Sequence, residues 1–179
     1  MATLNASKWG YILGPTNASV STARTSNGVL AVNNPTSAKP SSIQYLAYTS
    51  RGTLVYNMIR TFLYFDTTGI TGAVTNASLE IEGDTNFTAD VIACVSTAFG
   101  GNGASALTNS DFYSSINYNV IYSSQYSSWS TTNSIPLNNN ANSHIQNNNV
   151  LILALVEYDF DFLNTGSGFA ATRESGVEF

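Results

Sequence analysis

The sequence predicts an all-β protein: one jelly-roll β-sandwich over residues 1–179, with short helical turns in its loops. Three observations predict it. Apolar residues recur with period two along several short segments, the spacing of a half-buried strand. Stretches rich in Gly, Asn, Ser and Thr, such as NNPTSAKPSS, TTGITG, GGNGASALTN and LNTGSG, punctuate those segments. The polarity of the chain also comes from Asn, Ser and Thr, which compete with helical backbone for hydrogen bonds and favour turns and strand surfaces. Many short strands with frequent turns indicate a sandwich or barrel.

The elements follow in order. Strands are expected near 10–13, 29–32, 43–48 and 54–58. In RTFLYFD (60–66) both faces carry bulk, which predicts a central strand covered on both sides. In ASLEIEG (77–83), Ala77, Leu79 and Ile81 fall on one face and Ser78, Glu80 and Glu82 on the other. DVIACVSTAF (90–99) is continuously apolar from Val91 to Val95, as a buried strand is. Further strands are expected near 118–122, 134–137 and 150–162. The segments SALTNSDFYSS and NNNANSHIQNNN each accommodate a short helical turn, the second with Ala141 and Ile145 inward.

Bulk properties narrow the function. At 179 residues, a single core can bury about 70% of the unfolded surface. Charged residues are only 9% of the chain, against roughly 25% in an average soluble domain. Yet 43% apolar and 12% aromatic residues exclude disorder. Six basic residues scattered through a chain of net charge −5 form no phosphate track, so nucleic acid is not an expected partner. No apolar run approaches the roughly 18 residues that span a membrane, and the longest is VLILALV. Cys94 is the single cysteine; within VIACV it reads as a small buried hydrophobe. The N-terminus MATLNASKWGYILG shows no cationic segment leading into an apolar one. A neutral, outward-facing composition without an export tag leads us to expect a protein made in a host cytoplasm and carried on a virion surface.

Four constellations bear on chemistry. In EYDFDF, read as strand, Glu157, Asp159 and Asp161 at i, i+2 and i+4 share one face while Tyr158, Phe160 and Phe162 face the core. Three carboxylates roughly 7 Å apart need solvent, an arginine (Arg60, Arg51 or Arg173) or a cation between them. A solvated or arginine-paired face without cofactor is the expectation, and a hard cation such as Ca²⁺ is the alternative. Arg60, beside Phe62 and Leu63, is expected to pair with Asp66 or with an acid of the 157–161 segment, because a buried guanidinium is costly to leave unpaired. Tyr113, Tyr118, Tyr122, Tyr126 and Trp129 crowd one Ser/Asn-rich segment. Of these, Tyr113, Tyr122, Tyr126 and Trp129 are the candidate contacts for a glycan or a protein partner, and alternation into the core is the competing reading. Catalysis finds little support. His144 stands alone among asparagines, and Glu80, Glu82 and Asp84 read as solubilising charges rather than a glycosidase pair. The acceptor pattern N-x-S/T at Asn5, Asn17, Asn76 and Asn86 is what chance gives in a chain this rich in Asn, Ser and Thr.

The stretch RTFLYFDTTGITGAVTNASLEIEG (60–83) resembles the DNRLRE-type family of β-sandwich domains, with Arg60, Phe62, Leu63, Phe65, Asp66, Ile70, Val74, Ala77, Leu79 and Ile81 in the family's apolar and Phe-Asp positions. Residues 133–168 resemble its "Leu-Asn … Ile … Glu-Tyr-Asp-x-Asp" region, and the two segments cover about a third of the chain. The chain departs from the family at Val156, where Arg is usual, and at the ending SGVEF, where a Pro-x-Leu-x-Val-x-Tyr strand is usual. That ending implies a last strand that is short or completed by a neighbouring subunit. The resemblance implies either a carbohydrate-binding module or a freestanding structural protein of a tailed-phage virion. The expectation is the second: a non-enzymatic accessory virion protein, either capsid decoration or a head or tail fibre component. It would be homo-oligomeric, with other virion proteins as partners. The alternative is a carbohydrate-binding module recognising surface glycans, including those of a host.

Overall fold

The computed structural model describes residues 3–35, 42–82, 89–165 and 173–178. Asp84, Asn86 and the Arg173 side chain lie outside what is described. The elements run β1 (Lys8–Leu13), α1 (Val20–Thr25), β2 (Leu30–Asn33), β3 (Ser42–Ser50), β4 (Thr53–Asp66), β5 (Ser78–Glu82), β6 (Val91–Ser96), α2 (Asp111–Ser114), β7 (Ile116–Ile121), β8 (Thr132–Pro136), α3 (Asn139–Asn147), β9 (Val150–Glu157) and β10 (Arg173–Glu178). The described strands form one large antiparallel sheet, ordered β10-β3-β4-β9-β6-β7 with β1 and β2 joined through β4, and a small sheet of β5 and β8. This is the all-β sandwich that the sequence predicts.

β4 organises the large sheet. It pairs with β3 along Thr53–Ile59, with β1 along Ile59–Tyr64 and with β9 along Thr61–Asp66. The two strands expected at 54–58 and 60–66 are thus one. Asn57, a polar residue within it, is buried and donates its side-chain amide to the Gly14 carbonyl at 2.8 Å. A polar residue costs little inside a strand when its hydrogen bond is made.

Alternation then builds two core layers, one on each face of this sheet. Tyr56, Met58 and Phe62 of β4, Ile92 and Cys94 of β6, and Ile152, Ala154 and Val156 of β9 fill the first, together with Ala23 of α1 and Phe112 of α2. Leu63, Val91, Ala93, Leu151, Leu153 and Leu155 fill the second, where Leu79, Ile81 and Ile135 of the small sheet and Ala141 of α3 cover them. Ala141 is fully buried and Ile145 packs on the same layer, so α3 faces inward as expected. Burial on both sides explains the continuous apolar runs of β6 and β9.

Two features depart from the sequence reading. α1 is unannounced: Ser19 caps it by accepting the Thr22 amide at 3.3 Å, but only Ala23 is buried, so no apolar period marks it. The last expected strand, 150–162, stops at Glu157, and Tyr158–Phe162 winds into a single π-helical turn. β10 is six residues long and pairs in full with β3.

Candidate functional site

The acidic segment is not one face of a strand. Where β9 ends, the Glu157 carboxylate accepts the backbone N–H groups of Asp159 (3.2 Å), Phe160 (2.7 Å) and Asp161 (3.0 Å). The first amides of any helical turn lack intrahelical acceptors, and an acidic side chain just before the turn supplies one. The capped turn breaks the period of two. Glu157 and Asp161 become fully buried in different surroundings, while Asp159 is half-buried. Tyr158, Phe160 and Phe162 pack on the first core layer, Phe160 against Tyr45 and Phe162 stacked on Tyr158. Among the described residues no three His, Cys, Asp or Glu side chains converge as metal ligands.

Asp161 meets Arg60. The guanidinium forms a bidentate pair with it, Nε to Oδ2 and Nη2 to Oδ1, both at 2.7 Å. Its Nη1 donates to the Phe112 carbonyl at 2.5 Å and its Nη2 to the Arg24 carbonyl at 3.0 Å, with the Phe112 ring 3.9 Å from its centre. Arg60 and Asp161 are both without solvent exposure. Burial alone would lower the guanidinium pKa; the Asp161 carboxylate outweighs it and leaves the group above its ordinary value. Arg24 completes the cluster, its Nε 2.6 Å from the Asp161 carbonyl and 3.4 Å from Oδ1, its guanidinium 4.3 Å from the Tyr118 ring centre. The expected buried pairing of Arg60 is therefore made, with Asp161 and not Asp66. Asp66 is exposed and accepts both the backbone N–H and the hydroxyl of Thr68, which hold its pKa below the usual value. Arg24 was not singled out from the sequence, because it belongs to the unannounced α1. The cluster ties β4, α1, α2 and the π turn together, with Arg60 and Asp161 closed to solvent and Arg24 partly exposed at its rim.

The aromatic candidates do not form one surface. Tyr113 and Tyr118 pack with Phe162 on the first core layer, whereas Tyr126 and Trp129 pack on the second, across the large sheet. Tyr122 is 1% exposed, and its hydroxyl hydrogen-bonds His144 Nδ1 beneath a perpendicular ring contact. Burial pushes the Tyr122 phenol well above its usual range. Tyr126 and Trp129 are half-buried and meet edge to face at 5.0 Å, and Trp129 Nε1 donates to the Ala89 carbonyl at 2.7 Å. The contact face drawn from Tyr113 to Trp129 thus separates into anchors of two cores, because strand alternation divides what sequence proximity groups. Cys94 is fully buried, and its thiol is pushed up to about 12, mainly by burial.

Glu80 and Glu82 are exposed on the outer face of β5, as alternation predicts. Glu80 accepts the hydroxyls of Ser134 (2.6 Å) and Ser78 (2.8 Å), which hold its pKa below the usual value. Beside β5 lies an open groove of about 1010 Å³. Trp9, Leu63, Phe65, Leu79, Ile81 and Leu151 give it an apolar floor, and the 67–77 loop forms a wall. Among the described residues its lining includes Glu80 and Glu82 and no Lys, Arg, His or Cys. No local sequence pattern marks this groove, whose floor draws on β1, β4, β5 and β9. Comparison with known proteins finds no matching family model, no matching curated relative and no matching solved structure.

Proposed function

We propose that this chain is a non-enzymatic accessory protein of a tailed-phage virion, a capsid decoration or a head or tail fibre component, acting through protein contacts. One observation carries the contact role: the groove beside β5 is largely apolar, and among the described residues its lining has no histidine, cysteine, lysine or arginine. The polar chemistry nearest to a site, Arg60–Asp161 and Glu157, is sealed in the interior and holds secondary elements together. The virion assignment adds the neutral Asn/Ser/Thr composition and the family resemblance at 60–83 and 133–168. Quantitative mass spectrometry of purified virions tests it. Copy numbers set by particle symmetry are expected; a chain found only as free monomer overturns the assignment.

A second reading, a glycan-binding module, is favoured by the half-exposed Tyr126–Trp129 pair, since aromatic ring faces stack on sugar rings. Glycan-array binding by the wild type that Trp129→Ala abolishes, with the fold retained by circular dichroism, would establish it in place of the first.

A further inference from the structure

β5 pairs with β8 and, among the described residues, with no other strand. The phase of that ladder shows which backbone groups are left over. Leu137 donates its N–H to the Ala77 carbonyl at 2.9 Å, one position beyond the Ser78↔Pro136 pair. Hydrogen-bonded and non-hydrogen-bonded pairs alternate along an antiparallel ladder. Leu79 and Ile81 therefore exchange bonds with β8, while Ser78, Glu80 and Glu82 direct their N–H and C=O groups away from it. Pro136, which has no N–H to give, sits opposite Ser78, where none is required.

All five residues of β5 line the groove, so this outward-directed edge runs along an apolar trough. An open edge beside a trough is the arrangement that accepts an added strand. We propose that the β5 edge binds an extended segment of a partner protein in which apolar and basic residues alternate. The backbone of that segment would pair with Ser78, Glu80 and Glu82. Its apolar side chains would enter the trough over Leu63, Phe65 and Leu151. Its basic side chains would lie on the outer face beside Glu80 and Glu82, the lateral neighbours of an added strand. Charge selects the partner, because Glu80 and Glu82 line the groove and, among the described residues, no Lys, Arg or His does. The Ser134 and Ser78 hydroxyls also hold the Glu80 pKa below its usual value.

The inference rests on the contact role proposed above and names the partner's chemistry, and its test is separate from virion composition. The probe is a fluorescent acetyl-VKVKVKV-amide peptide, titrated against the full chain and followed by anisotropy. Saturable binding below about 1 mM is expected. Binding should weaken at least about tenfold for acetyl-VEVEVEV-amide, and the double variant Glu80→Lys/Glu82→Lys should reverse that preference. A peptide N-methylated at alternate residues, which cannot donate to the edge, should lose binding while its charge is unchanged. No binding, or equal binding of basic, acidic and N-methylated peptides, overturns the proposal. So does sedimentation of the chain alone as a dimer that the double variant disperses, since the edge would then belong to a second copy. Stoichiometric virions without peptide binding would remove strand addition and leave the virion assignment standing; peptide binding without virion incorporation would leave strand addition standing and remove the virion assignment.

Discussion

Replacing Arg60 with Met removes a guanidinium that makes two bonds to Asp161 and one each to the Phe112 and Arg24 carbonyls. Met fills a similar volume, so the cost is electrostatic rather than a cavity. Breaking one partner out of a buried ion pair typically costs about 3–5 kcal/mol, because the other charge stays buried without its partner. Here Arg24 lies 3.4 Å from Asp161 Oδ1 and offsets part of that loss. With the loss at the low end, about 3 kcal/mol, and each kcal/mol shifting Tm by about 2–4 °C in a domain of this size, Arg60→Met should lower Tm by roughly 6–12 °C. Asp161→Leu alone should cost a similar amount, since it strands Arg60. Joining the two changes should cost less than their sum, with a coupling of about 1–3 kcal/mol. Recovery should be incomplete, because the Phe112 and Arg24 carbonyls lose their donor in either background. Thermal melts of the four proteins of this cycle, followed by circular dichroism, give every term. A single variant that melts within about 2 °C of wild type, or strictly additive changes, would show that the pair does not hold the fold.

Glu157→Gln keeps the side chain's size but removes the charge that three backbone N–H groups share, and should destabilise by about 1–2 kcal/mol in denaturant titration. Because Glu157 is engaged by backbone and Asp161 by Arg60, EDTA should leave Tm unchanged in wild type and Asp159→Asn alike; a chelator-dependent fall abolished by Asp159→Asn would instead place a cation at the turn. With no solvent exposure and a thiol pKa pushed up to about 12, Cys94 should resist an aromatic disulfide reagent in the native state and react promptly in denaturant.

The difference between reading and structure is clearest at EYDFDF. As letters, the spacing of two describes a strand with its acids on one side. What ends the strand is a capping bond from Glu157 to three amides that become free only if the chain turns there. Both conformations satisfy the local pattern, and the buried Arg60, about a hundred residues away in sequence, favours the turned one. Arg60 itself was legible: an arginine amid Phe62 and Leu63 on a two-sided strand has to be paired. Its partner was not, because any of several acids could reach it until β4 and β9 are placed in register.

By itself, the sequence determined the all-β class, most strand positions, the burial of Cys94, the inward face of α3 and the need of Arg60 for a carboxylate. These follow from period, propensity and the cost of burying charge, all of which are local. Only the tertiary structure decided that Tyr113 and Trp129 belong to opposite core layers, that Arg24 joins the buried pair, and that β5 keeps one edge directed into a trough. Those outcomes depend on which strands become neighbours. Pairing is set by the summed burial of two faces of a sheet, a long-range quantity that no short window of residues contains.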